Sequence, residues 1–83
     1  MLKVLYFASL RETLGCASES IDLPPAVNNV AGLLDLLAAR GEHWLKLATV
    51  KNLRCAVNQE LASLDAPIKG GDEVAFFPPV TGG

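Results

Sequence analysis

The chain has 83 residues, of which 51% are hydrophobic and 19% charged, and its formal net charge at pH 7 is −2. This length suits one domain with one core, and the composition is typical of a folded protein and excludes a disordered one. The seven lysines and arginines are scattered along the chain. A nucleic-acid ligand is therefore not expected, because phosphates are held by clustered cations.

The first ten residues are mostly apolar, but Arg11 and Glu12 follow them directly. The stretch is far shorter than the ~20 residues that a membrane span needs. We therefore expect a cytoplasmic protein with no membrane anchor. The two cysteines, Cys16 and Cys55, are too few for a disulfide framework and too far apart for a paired metal-ligand motif, so no metal site is predicted.

Two short strands and a turn are predicted in the first quarter of the chain. Residues 2–8 are rich in β-forming side chains, which predicts a strand, and residues 9–13 predict a helical turn that Gly15 would end. Residues 20–23 alternate polar and apolar side chains before two prolines, which predicts a second strand paired with the first as a hairpin.

The clearest helix follows Asn28 and Asn29, whose side chains can cap its first turn, and Gly41 lies where a helix would end. Its apolar positions at helical spacing are Val30, Leu33, Leu34, Leu37 and Ala38. The next segment, residues 42–48, fits either another short helix or an ordered crossover, and its periodicity does not decide between them.

The second half of the chain predicts three strands. Residues 53–57 form the third strand, residues 58–59 supply a turn, and residues 60–63 form a brief fourth strand. After a turn at residues 70–72, the last strand covers residues 73–77 and is ended by two prolines.

The resulting order of elements is β, turn, β, α, β, β, β. It favours an α+β protein with the ubiquitin-like β-grasp fold, in which one main helix covers one face of a mixed sheet of four to five strands. The domain is predicted to cover residues 1–77, and residues 78–83 are predicted to form an extended C-terminal tail.

Alternation along the first and last strands sends two aromatic rings, Phe7 and Phe77, to the face that one helix cannot cover. The residues expected to meet the helix are Val4, Tyr6, Val74 and Phe76. Two large rings left in water predict a protein interface, since burying each is worth roughly 1.5 to 3 kcal/mol. The alternative, that loops or the segment around Trp44 cover this face, stays open.

The tail carries the chemistry that side chains lack. It consists of Pro78, Pro79, Val80, Thr81, Gly82 and Gly83. The prolines favour an extended path of up to about 20 Å, and the glycines can enter a narrow channel. The terminal carboxylate becomes reactive only after it is activated as a mixed anhydride with AMP. This chain has no glycine-rich phosphate loop with its lysine, so a separate enzyme would bind the ATP, and no cofactor is expected here.

Residues 57–60 and 71–83, together with residues 3–8 and the pair Arg11–Glu12, resemble the small, sulfur-carrier subunits of molybdopterin synthase. The resemblance covers essentially the whole chain. It implies that Gly83 is adenylated by a ubiquitin-activating-like adenylyltransferase and then converted to a thiocarboxylate.

The same resemblance implies that Gly83 donates its sulfur to cyclic pyranopterin monophosphate inside the large catalytic subunit. The assembly would be a heterotetramer of two small and two large subunits, in which this chain is not an enzyme by itself. Phe7, Leu61 and Phe77 match hydrophobic partner-contact positions. Arg11 is a further candidate contact, with a solvated arginine as the alternative.

Three other functions remain open on the residues alone. A thiamine-pathway sulfur carrier would share the fold and the glycine end, although residues 78–81 and the longer helical middle argue against it. A ubiquitin-like modifier would join its C-terminus to a lysine, and a binding module would carry an inert tail.

Overall fold

The computed structural model describes residues 1–49 and 53–79, with the backbone only at residue 48. The strands are β1 (Leu2–Tyr6), β2 (Ser18–Ile21), β3 (Arg54–Val57), β4 (Glu60–Ala62) and β5 (Glu73–Phe77). The helices are α1 (Ser9–Leu14), α2 (Val30–Ala38) and α3 (Leu45–Thr49), and a 3₁₀ turn at Glu42–Trp44 leads into α3.

The strands form one sheet in the order β2-β1-β5-β3-β4. The central pair, β1 and β5, is parallel, with Val4 opposite Val74 and Tyr6 opposite Phe76, and the other pairs are antiparallel. A mixed five-stranded sheet with one main helix, α2, confirms the predicted β-grasp. The segment that periodicity left undecided is helical, as the 3₁₀ turn and α3.

Two predicted boundaries move by two residues. β1 ends at Tyr6 instead of residue 8, because Ala8 turns the chain sharply with a positive φ of 54°. β2 lies at residues 18–21 instead of 20–23, because its pairing with β1 sets Ser18 opposite Leu5 and Ile21 opposite Leu2. The two strands are joined through α1, which ends where predicted, at Gly15 with φ 67°.

A single apolar core lies between the sheet and the helices. Its buried members are Leu2, Val4, Tyr6, Leu10, Leu14, Val30, Leu33, Leu37, Leu47, Cys55, Ile68, Val74 and Phe76. The four strand residues expected to meet the helix are all among them. Each fully buried large side chain contributes roughly 1.5 to 3 kcal/mol, so this layer carries most of the stability.

The main helix begins as its sequence predicts. Asn29 is extended, and its Oδ1 accepts a hydrogen bond of 2.8 Å from the amide of Gly32, which satisfies one of the free donors of the first turn. Val30, Leu33 and Leu37 then point into the core. The helix is fixed at its start by this cap and along its length by burial.

A polar network links the helical layer to the edge of the sheet. The Tyr6 hydroxyl donates to Glu19 Oε2 at 2.9 Å, and the Arg40 guanidinium donates to both carboxylate oxygens of Glu19 at 2.9 and 2.7 Å. The same guanidinium lies 4.4 Å from the centre of the Trp44 ring, which packs edge-on against Tyr6 at 5.5 Å. Trp44 therefore lies on the core side of β1, with Tyr6.

These contacts shift two pKa values. Arg40 holds the pKa of Glu19 below its ordinary value of 4.5, with help from the Tyr6 hydroxyl and against the effect of partial burial. Burial raises the pKa of Tyr6, and the hydrogen bond to Glu19 adds to that rise. Glu19 is therefore ionised and Tyr6 neutral at physiological pH.

Replacing Glu19 with glutamine should lower the melting temperature at pH 7 by about 4–8 °C, the equivalent of about 1 kcal/mol for a domain of this size. Because the pKa of Glu19 is lowered by folding, its ionised form stabilises the protein above pH 4.5 and the contribution is lost as the pH falls through the lowered pKa. The gap between wild type and variant should therefore close on acidification.

Thermal melts followed by circular dichroism between pH 7 and pH 3 measure this gap. Glu60→Gln, at an exposed position on β4, is the matched control and should leave the melting temperature nearly unchanged. A gap between wild type and Glu19→Gln that stays constant over this pH range contradicts the assignment.

Candidate functional site

The face of the sheet opposite the helices carries an apolar groove of about 390 Å³. A row of residues in register crosses it: Leu5 lies opposite Ala75, Ala75 opposite Ala56, and Ala56 opposite Leu61. The lining residues of the groove are Leu5, Phe7, Ala56, Gln59, Glu73, Ala75 and Phe77. We call these seven residues together with Leu61 the open face.

Large side chains stand around the small ones on the open face. Phe7 is 45% exposed and Leu61 69% exposed, while Phe77 is partly buried. The amide of Phe7 donates to the carbonyl of Phe76 at 3.1 Å, which continues the ladder beyond β1 and sets Phe7 beside Phe77. The three hydrophobic residues predicted as partner contacts therefore lie on one face.

Arg11, the fourth predicted contact, lies on α1. It is exposed, whereas Leu10 and Leu14 of the same helix are buried. Arg11 is not among the seven residues that line the groove. It follows Phe7 by four positions in the sequence, past the end of β1. Its role as a contact stays a prediction.

The chain leaves the sheet beside the open face. Parallel strands end at the same edge, so the last residue of β5, Phe77, lies next to the end of β1 and to Phe7. Pro78 and Pro79 follow without regular secondary structure and are partly buried. Val80, Thr81, Gly82 and Gly83 lie outside the described residues, so the extended tail stays a prediction.

Alternation along single strands places Phe7 and Phe77 together with their neighbours Leu5 and Ala75. The same alternation carries Glu73, two residues before Ala75, to this face. It does not find Ala56 and Gln59, because their place depends on which strands pair. The place of Leu61 on the open face depends on the register of β3 and β4, which sets it opposite Ala56. The signal within the sequence was weak, since β4 has only three residues.

Cys16 and Cys55 are both free thiols. Cys55 is buried, donates to the carbonyl of Ala62 at 3.3 Å, and has its pKa raised by burial, as suits a structural thiol. Within residues 1–49 and 53–79, no three His, Cys, Asp or Glu side chains come together as metal ligands. None of the described helices has the length and apolar character to span a membrane.

A central last strand in a mixed sheet, with the main helix on one face and an apolar groove on the other, defines a ubiquitin-like β-grasp protein. Residues 4–83 match the ThiS family. The chain belongs to this family.

A curated relative, the molybdopterin synthase sulfur carrier subunit of Escherichia coli (strain K12), is 43% identical over 83 residues, which cover all of both chains. Among solved structures, the putative molybdopterin converting factor subunit 1 of Pyrococcus furiosus has a TM-score of 0.78 and 32% identity, covering 95% of this chain and 97% of that one. These matches confirm the resemblance found in the sequence.

Two further structures bear on function. One is a complex of subunits 1 and 2 of the molybdopterin-converting factor from Helicobacter pylori 26695, with a TM-score of 0.65 and 26% identity, covering 99% and 97% of the two chains. The other is the small archaeal modifier protein 1 of Haloferax volcanii, with a TM-score of 0.75 and 27% identity, covering 95% and 97%.

Changing Phe7 and Phe77 together to serine should leave the isolated domain folded, because Phe7 is already 45% exposed and Phe77 is not fully buried. Phe76→Ser is the matched control, since Phe76 is 0% exposed on the opposite face. That change should cost about 3–5 kcal/mol, a large part of the stability of a small domain. Urea denaturation compares the variants, and a double variant as unstable as Phe76→Ser would show that the rings belong to the core.

Proposed function

We propose that this chain is the sulfur carrier of molybdopterin synthase and acts through a thiocarboxylate at Gly83. The observation that carries the proposal is the match, over the full length of both chains, to a protein named as that carrier. The family match extends to residue 83, so it includes the two glycines. The position of the tail exit beside the open face supports it.

The chemistry begins with the carboxylate of Gly83, which is inert because resonance and negative charge protect it. One carboxylate oxygen attacks the α-phosphate of ATP in a separate activating enzyme, and pyrophosphate leaves. A sulfur nucleophile at the oxidation level of hydrosulfide then attacks the acyl carbon, the bond from that carbon to the AMP oxygen breaks, and a thiocarboxylate remains on Gly83. This chain binds no nucleotide itself in this scheme, and the use of ATP is consistent with a cytoplasmic protein.

The thiocarboxylate is then inserted into the large catalytic subunit and transfers its sulfur to cyclic pyranopterin monophosphate. As the sulfur stays on the pterin, water attacks the acyl carbon and the carbon–sulfur bond of Gly83 breaks. Gly83 thereby returns to a carboxylate, so the carrier can be charged again. The catalytic groups belong to the large subunit, and this chain delivers the sulfur. We propose an assembly of two small and two large subunits, and the complex of subunits 1 and 2 from Helicobacter pylori supports such a partner.

The open face supplies the docking surface in this proposal. Docking through Phe7, Leu61 and Phe77 removes apolar area from water at the edge where the chain exits, so binding and tail insertion happen together. Arg11, just beyond Phe7 on α1, would add a charged contact at the rim. The same surface would meet the activating enzyme, because the same tail has to reach its active site.

The second candidate function is protein modification, in which Gly83 would form an isopeptide bond with a lysine. The structural match to the small archaeal modifier protein 1 favours it. Both functions begin with adenylation of the C-terminus, and they differ in the acceptor. A carrier yields a small sulfur-bearing product, whereas a modifier yields a target protein of increased mass.

Coexpression with the activating enzyme and a sulfur source should add about 16 Da to the intact mass, the replacement of one oxygen by sulfur. A chain ending at Thr81 should show no gain and no pterin conversion with the large subunit. Intact-mass spectrometry and a pterin sulfuration assay measure the two effects. Sulfuration by the shortened chain would exclude the proposal, and a lysine-linked conjugate without pterin conversion would favour the modifier.

Leu61→Ser should weaken binding to the large subunit by about five- to thirty-fold, because truncating a leucine buried in an interface costs roughly 1–2 kcal/mol. Leu45→Ser is the matched control, since Leu45 is 53% exposed but lies on α3, in the helical layer. It should bind like wild type. Isothermal titration calorimetry measures both affinities, and equal losses would show that the open face is not the docking surface.

A further inference from the structure

Ala8 has an unusual backbone conformation at the edge of the open face. Its φ is 54° and its ψ −133°. The amide of Leu10 donates to the carbonyl of Phe7 at 3.2 Å, so residues 7–10 form a turn with Ala8 at its second position. These angles are those of a type II′ turn, in which that position is dominated by glycine.

Alanine satisfies neither of the local preferences at this position. Ala8 is the N-cap of α1, where a serine, threonine, aspartate or asparagine would accept a hydrogen bond, and its side chain makes none. Its Cβ also disfavours the positive φ that glycine would adopt freely. Residues held in such regions persist when their surroundings determine them, and they cluster at functional sites.

The surroundings of Ala8 hold the turn from both sides. On the sheet side, the amide of Phe7 is bonded to Phe76 of the central strand. On the helix side, the amide of Arg11 donates to the carbonyl of Ala8 at 3.1 Å, and the buried side chain of Leu10 anchors α1 in the core. The turn is therefore a rigid link between β1 and α1.

This link connects two of the candidate partner contacts. Phe7 directly precedes Ala8 on the open face, and Arg11 is bonded to the carbonyl of Ala8 on α1. The φ and ψ of Ala8 set the direction of α1 relative to β1, and with it the placement of Arg11 relative to Phe7. Leu10, between them, is held in the core by burial.

We propose that Ala8 is a positioning residue for docking: its restricted type II′ backbone holds Phe7 and Arg11 in the arrangement that the large subunit binds. A binding surface that is already ordered loses less conformational entropy on association. A restricted backbone at Ala8 therefore increases the affinity for the large subunit. The inference rests on the proposed function, since it takes the large subunit as the partner.

Two replacements separate stiffness from strain. Glycine removes the strain and also the stiffness, because it loses the Cβ that restricts the backbone. D-Alanine removes the strain and keeps the stiffness, since the observed angles are the mirror image of φ −54° and ψ 133°, an unstrained extended conformation. The full chain with either residue can be made by ligating a synthetic segment 1–15 to an expressed segment 16–83, because Cys16 supplies the thiol at the junction.

The melting temperature of both variants should rise by about 5 °C through relief of strain. Affinity for the large subunit, measured by isothermal titration calorimetry, should fall about five-fold for Ala8→Gly through the added backbone entropy. It should stay at the wild-type value for the D-alanine chain. Ala31→Gly, within α2, is the control: its melting temperature should fall by about 5 °C with unchanged affinity.

Wild-type affinity for the Ala8→Gly chain would overturn the proposal, and so would equal losses for the glycine and D-alanine chains. A wild-type chain that does not bind the large subunit is a separate result, because it rejects the proposed function itself. A melting temperature that rises while affinity falls is an outcome that a purely structural role of Ala8 does not produce.

Discussion

The parallel pairing of β1 with β5 at the centre of the sheet is the constraint on which the rest of this structure depends. It pairs the first strand with the last and sets Val4 and Tyr6 beside Val74 and Phe76. These four side chains form the sheet side of the core. Because parallel strands end at the same edge, it also brings the exit of the chain next to Phe7. In the proposed function the C-terminus is a reagent that needs a fixed starting point, and the central strand of the sheet supplies one.

The two faces of this sheet have different tasks. On one face, the helices and the network of Tyr6, Glu19, Arg40 and Trp44 close the core, and the apolar area buried there stabilises the domain. On the other face no described helix packs, and the apolar groove remains accessible. A domain of this size leaves a large share of its surface in water, so an apolar face that its own helices do not cover is available to a partner.

Three consecutive residues show how closely core and surface are joined. Tyr6 is buried and bonded to Glu19, Phe7 is exposed on the open face, and Ala8 makes the strained turn that starts α1. The packing of the core therefore holds the geometry of the open face at Phe7, with the turn at Ala8 as the link to α1. In the proposed function, the carrier supplies a rigid surface and a reactive end, and its partners supply the catalytic groups.

Periodicity and capping determined much of this protein from its sequence alone. The helix behind Asn29, the turn ended by Gly15, the strand at residues 73–77 and the separation of Phe76 from Phe77 onto opposite faces are local properties, because each follows from the chain's own geometry within a few residues. Only the tertiary structure decided the strand order, the register that adds Ala56 and Leu61 to the open face, and the helical state of residues 42–49. These depend on contacts between residues far apart in the chain, whose pairing no local pattern specifies.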